Sequence, residues 1–106
     1  MIFISEENEL IWKSDIQVIY FYSSWMPFHQ KFLLMLDKME QKYPDIAFFA
    51  IDIDYFFPLC KRFDVITIPT VIFFIASKEI KRINKMISTA EFNSNFESLR
   101  SLKHDS

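Results

Sequence analysis

Three near-continuous apolar runs, Ile16–Tyr22, Ile46–Ile53 and Thr70–Ile75, constrain this chain more than anything else in it. Runs of that length, rich in β-branched and aromatic residues, predict strands buried on both faces. A sheet with both faces dry needs a covering layer on each side, and the segments between the runs have the periodicity to supply it. Pro27–Lys42 predicts a long helix, with Phe28, Phe32, Leu36, Met39 and Tyr43 stepping by three or four along one buried face. Proline in its first turn gives up no needed N–H, and Tyr43-Pro44-Asp45 ends it. Pro58–Phe63 suits a short helix. Ser88-Thr89-Ala90-Glu91 is a capping box opening a last helix, with Phe92, Phe96, Leu99 and Leu102 as its buried stripe and Lys103–Ser106 as a frayed tail.

The shorter pieces complete the pattern. Ile2–Ile4 reads as a short strand, and Ser5 as the cap of a helix through Lys13, with Glu6 and Glu7 in its first turn. Ile80–Asn84 reads as a strand joined to Thr70–Ile75 by a turn at Ala76–Glu79. The order is β-α-β-α-β-α-β-β-α: parallel pairing through crossovers, then an antiparallel hairpin. This is a single α/β domain over residues 1–106 with a mixed central sheet. With 51% apolar residues, the chain can form a core without disulfides or metals. It contains no glycine, so any turn needing positive φ is expected to use Asn, Asp, Ser or Lys.

Charge and cysteine content narrow the function classes. A net charge of -2 with interspersed signs gives no reason to expect nucleic-acid binding. No run reaches the roughly 18 apolar residues of a membrane span, and the N-terminus lacks the basic and long apolar regions of a signal peptide. A cytoplasmic protein in a reducing compartment is the expectation. With one cysteine, Cys60, no disulfide can form within the chain.

Several stretches together resemble the thioredoxin family. Tyr20-Phe21-Tyr22-Ser23-Ser24-Trp25 is similar to the strand that runs into the family's Trp-Cys-Gly-Pro-Cys motif, and Asp52-Ile53-Asp54 to the end of the next strand. Pro58–Val65 resembles the short helix before the active-site proline, Ile68-Pro69-Thr70-Val71 the cis-proline loop, and Arg82–Ser88 the final strand and the loop after it. The resemblance covers nearly the whole chain. It implies a thioredoxin fold, a cis peptide before Pro69, and an Ile68 backbone available to an extended peptide.

The family's chemistry needs a thiolate at a helix N-terminus and a second cysteine three residues on. Against that motif, Trp25 is followed here by Met26-Pro27-Phe28-His29. Met26 stands at the nucleophile's position and His29 at the resolving cysteine's. A thioether forms no mixed disulfide and an imidazole resolves none. The strand carboxylate common in the family is Tyr20 here, and the neighbouring lysine is Ala50. The resemblance therefore implies a redox-inactive member with no catalytic residue, no cofactor and no metal. A surface His29 beside a rim-exposed Met26 lacks the further ligands that a haem or copper site would need.

Three readings of function remain, the third being a purely structural domain of a larger complex. In the first, Trp25, Met26, Phe28, Ile68 and Pro69, together with Tyr55, Phe56 and Phe57, bind a protein partner, so that the chain acts as an adaptor or chaperone-like module. The same aromatic patch suits a homodimer. In the second, Cys60 makes the chain a one-cysteine redox enzyme or redox sensor, which requires an accessible, low-pKa thiol. A buried Cys60 would instead be a small core residue.

Overall fold

The computed structural model describes residues 1–6, 10–12 and 14–105, with side chains described through residue 102. The elements are β1 (Ile2–Phe3), β2 (Ile16–Tyr22), α1 (His29–Lys42), β3 (Ala47–Asp52), α2 (Phe57–Arg62), β4 (Thr70–Ile75), β5 (Lys78–Ile83) and α3 (Thr89–Asp105). They form a thioredoxin-type α/β architecture. The five strands lie in the order β1-β3-β2-β4-β5. β3 is parallel to both β1 and β2, while β4 is antiparallel to β2 and to β5.

β2 lies at the middle of the sheet, and strand alternation sorts its side chains into two sealed compartments. Ile16, Val18 and Tyr20 join Phe48, Ala50, Val71 and Phe73 beneath α1 and α3. Ile19 and Phe21 join Phe49, Ile51, Ile72 and Phe74 on the other face, with Leu59 and Cys60 of α2. Phe92 and Phe96 seal the first compartment, their rings stacked on each other and edge-on to Phe73. The Ser88 hydroxyl accepts the Glu91 N–H at 3.1 Å, one half of a capping box.

Several expectations need correction. α1 begins at His29, so Pro27 lies in the preceding turn and not in the helix. Phe28 is left-handed at φ 64°, which turns its side chain out to solvent, and His29 takes its place on the buried stripe with Phe32, Leu36 and Met39. Leu102 is exposed, because the α3 stripe leaves the core after Leu99. The helical backbone continues to Asp105, through most of the stretch expected to be a frayed tail; Ser106 is outside the described residues. Much of the helix expected over residues 5–13 also falls outside them, at 7–9 and 13. Residues 5 and 6 form a bend, and 10–12 have no regular structure.

Positive φ occurs at Phe28, Asp64, Ala76 and Ser77. Asp64 and Ser77 are the residue types expected there; Phe28 and Ala76 are not. Ile75 pairs with Lys78, so Ala76 and Ser77 alone make the hairpin loop, tighter than the four residues expected. Both have positive φ (51° and 67°), as the twist of a two-residue hairpin demands. An alanine in that region carries a Cβ clash that glycine lacks. Ala76→Gly should therefore stabilise the fold by about 1 kcal/mol. The check is a higher urea midpoint at unchanged slope. An unchanged midpoint would mean that the loop carries no such strain.

Candidate functional site

The site lies where β2 ends and the chain turns into α1. Ser23 accepts the Met26 N–H at its carbonyl (3.0 Å), and Met26 in turn accepts the His29 N–H (3.2 Å). This double turn decides which side chains face inward. Met26 is 8% exposed and His29 7%, whereas Trp25 is 73% exposed and Phe28 66%. The sequence-based placement of Met26 on an exposed rim, and of His29 on the surface, is therefore wrong for both. The thioether packs in the compartment beneath α1.

His29 is held by aromatic rings and one hydrogen bond. Its ring stacks on Tyr22, with centroids 4.5 Å apart and planes 10° from parallel. Its Nδ1 lies 2.9 Å from the hydroxyl of Tyr20, which is wholly buried. Burial, reinforced by the neighbouring Tyr22, pushes the Tyr20 phenol far above its ordinary range, so it keeps its proton. Among the described residues that hydroxyl has no other hydrogen-bond partner. The phenol therefore donates, Nδ1 accepts, and the neutral imidazole carries its hydrogen on Nε2. Burial pulls the His29 pKa below its ordinary value, with the Asp52 carboxylate pulling the other way. Burial and Asp52 both raise the Tyr22 phenol.

Sequence reasoning noted Tyr20 and His29 as separate departures and missed that they bond to each other. The signal was present: the resemblance places both departures at one site of the family motif. Ala50, the β3 neighbour of Tyr20, belongs to the same change. A small residue there leaves room for the phenol ring. Asp54 was also missed. Its Oδ2 accepts the Ser23 hydroxyl at 2.7 Å and the Trp25 indole N–H at 3.2 Å, tying the exposed indole to the loop after β3.

The rest of the expected surface is brought together in part. The Ile68–Pro69 peptide is cis, and both residues are half-buried. Tyr55 and Phe57 are exposed, while Phe56 turns inward against the lower compartment. Phe57 and Ile68 share the rim of an apolar cavity of about 110 Å³ with Ile53, Cys60, Val65 and Ile66. Ile66, exposed and absent from the expected set, could have been found as an apolar residue in the loop before the proline. Arg82 fixes this loop from β5, donating to the carbonyls of Phe63 and Asp64 (both 2.8 Å) while paired with Glu79.

Cys60 lies on the opposite face of the sheet from Met26 and His29. It is 4% exposed, and burial pushes its thiol pKa up, offset in part by a backbone hydrogen bond. No group of three or more His, Cys, Asp or Glu side chains among the described residues could hold a metal ion. None of the helices described is long and apolar enough to cross a membrane.

Residues 4–98 match the Thioredoxin family. The chain belongs to the thioredoxin family. It is 29% identical over 80 residues to thioredoxin-2 of Saccharomyces cerevisiae, covering 74% of this chain and 77% of that protein. Mitochondrial thioredoxin-3 of the same yeast is 32% identical over 84 residues, with 79% of this chain and 64% of that protein covered. A solved thioredoxin from Halobacterium salinarum superposes with a TM-score of 0.83 at 17% identity, over 92% of this chain and 88% of that one, a likeness of fold. Within this thioredoxin-family chain, the turn after Trp25 carries a buried thioether at Met26 and a hydrogen-bonded imidazole at His29.

The Tyr20–His29 bond generates a measurable prediction. Tyr20→Phe leaves a buried Nδ1 without its donor, and His29→Leu leaves a buried phenol without its acceptor. Each should destabilise the fold by about 1–3 kcal/mol. The double variant should lose less than the sum, with a coupling energy of about 1 kcal/mol in chemical denaturation. Strict additivity would show that the two groups are not bonded.

Proposed function

We propose that this chain is a non-catalytic binding module of the thioredoxin family, working as an adaptor or chaperone-like domain. In this reading it takes up a protein partner at the surface around Trp25, Phe28, Tyr55, Phe57 and Ile68. The observation that carries the reading is an inversion at the turn: Met26 and His29, where a dithiol would react, are buried, and Trp25 and Phe28 beside them are exposed. Large rings in water cost free energy unless something covers them, and tryptophan beside aliphatic residues is typical of interface anchors. Half-buried Ile68, next to the cis peptide, supplies a backbone edge for an extended segment.

The alternative, redox chemistry through Cys60, is less well supported. Thiol exchange needs thiolate at an accessible sulfur, and burial both covers this sulfur and raises its pKa. The two readings separate in an insulin-reduction assay with dithiothreitol. The wild-type chain and Cys60→Ala should both match the rate of dithiothreitol alone. Turnover by wild type above the Cys60→Ala background would overturn the non-catalytic reading. For the binding surface, a partner recovered from the native source should bind Trp25→Ala and Ile68→Asp about 30-fold more weakly or worse. Leu34→Ala, on the exposed side of α1, should leave affinity unchanged. Equal affinity for all three variants would exclude this surface. If the partner is a second copy, wild type will sediment as a dimer and Trp25→Ala as a monomer.

A further inference from the structure

We propose that the turn from Met26 to His29 is an acid-opened latch, closed while the His29 ring is neutral and buried and open once that ring takes up a proton. The geometry leaves the imidazolium poorly accommodated in the closed form. Protonated Nδ1 would meet the Tyr20 hydroxyl donor to donor. The phenol could turn to accept, but its own hydrogen would then be stranded, since among the described residues it has no other partner. The ring also sits in the first residue of a 14-residue helix, where exposed N–H groups present positive charge.

Other groups around the ring act on the same balance. From β2, Tyr22 offers a stacked face that favours a cation, and from β3 the Asp52 carboxylate favours one as well. Asp54 is engaged by Ser23 and Trp25. Lys31, two residues on in α1, points to solvent, and Phe32 presents a neutral ring to Tyr20. Burial outweighs Asp52, and the His29 pKa lies below its ordinary value of 6.5.

The hinge is Phe28. Its left-handed backbone has no side-chain cap, and return to an ordinary conformation removes a steric clash. Two backbone hydrogen bonds and the docked imidazole hold the turn shut. Freeing the ring would uncover Met26 beside Trp25 and Phe28, enlarging the apolar surface at low pH. The sign follows from linkage. The closed form binds the proton less readily than the open one, so closure is fully favoured above pH 6.5 and weakens as pH falls below it. The open fraction should rise about tenfold per pH unit between the two midpoints.

The inference concerns the chain alone and goes beyond the binding reading, so its test needs no partner. NMR titration of the wild-type chain from pH 7.5 to 4.5 should show the His29 ring titrating below 6.5. The amide shifts of residues 26–32 and the Trp25 indole shift should follow with the same midpoint. His29→Gln keeps an acceptor for Tyr20 and cannot take up a proton in this range, so its turn should stay pH-invariant. Tyr20→Phe removes the bond that favours the neutral ring and should move the midpoint up toward 6.5. A His29 midpoint at or above 6.5 would overturn the proposal. So would a turn that stays unchanged while the ring titrates, or one that responds to pH in His29→Gln.

Discussion

A central strand dry on both faces leaves its side chains two places to go, and here those two places have different chemistry. Ile16, Val18 and Tyr20 of β2 point under α1 and α3, while Ile19 and Phe21 point toward α2. A polar group can be carried into the first compartment only if something there bonds it, because water cannot reach it. Tyr20 meets that condition through His29, which the turn before α1 delivers to within 2.9 Å. The same partition puts Cys60 on the far side of the sheet. The chain's one thiol and the Met26–His29 turn therefore lie on opposite faces of the sheet, with Cys60 lining the cavity that Phe57 and Ile68 rim.

This explains why the replacements at the site belong together. In a family whose chemistry uses a thiol pair over a buried carboxylate, exchanging one group alone would leave another buried and unsatisfied. The resemblance assigns a phenol to the carboxylate's position, an imidazole to the resolving thiol's and an alanine to the lysine's. The phenol has an acceptor, the imidazole a donor, and the alanine leaves room for the ring. Met26 needs no partner, since a thioether buries at little cost. The result is a corner held by one hydrogen bond and a stack of rings, Tyr22 on His29 and Tyr20 on Phe32.

Most of the architecture was legible in the residues because it follows from periodicity and burial. The three apolar runs became β2, β3 and β4 within a residue or so of the expected limits, and the Ser88 cap opened α3 as its pattern implied. The departures cluster where backbone conformation, not hydrophobicity, decides. Whether α1 starts at Pro27 or His29 turns on one left-handed residue, and a phenylalanine gives no sign that it will adopt φ 64°. That single dihedral exchanges Phe28 for His29 on the buried stripe. It thereby reverses which residues of the turn face solvent. Residue identity pointed to this turn and misjudged which of its side chains face inward.

That reversal decides what the turn before α1 presents to solvent. In a reactive site the sulfur must be reachable, so the turn has to present it. The Met26 thioether carries no such requirement, and burying it adds apolar contact to the core. The cost falls on the flanking rings. Trp25 is held out by its indole N–H on Asp54, which also ties down Ser23, so its exposure is maintained by specific bonds. Arg82 likewise anchors the loop that carries Ile66 and Ile68 through the carbonyls at the end of α2. An exposed ring fixed in place by such bonds has less side-chain entropy to lose on any association than a free one.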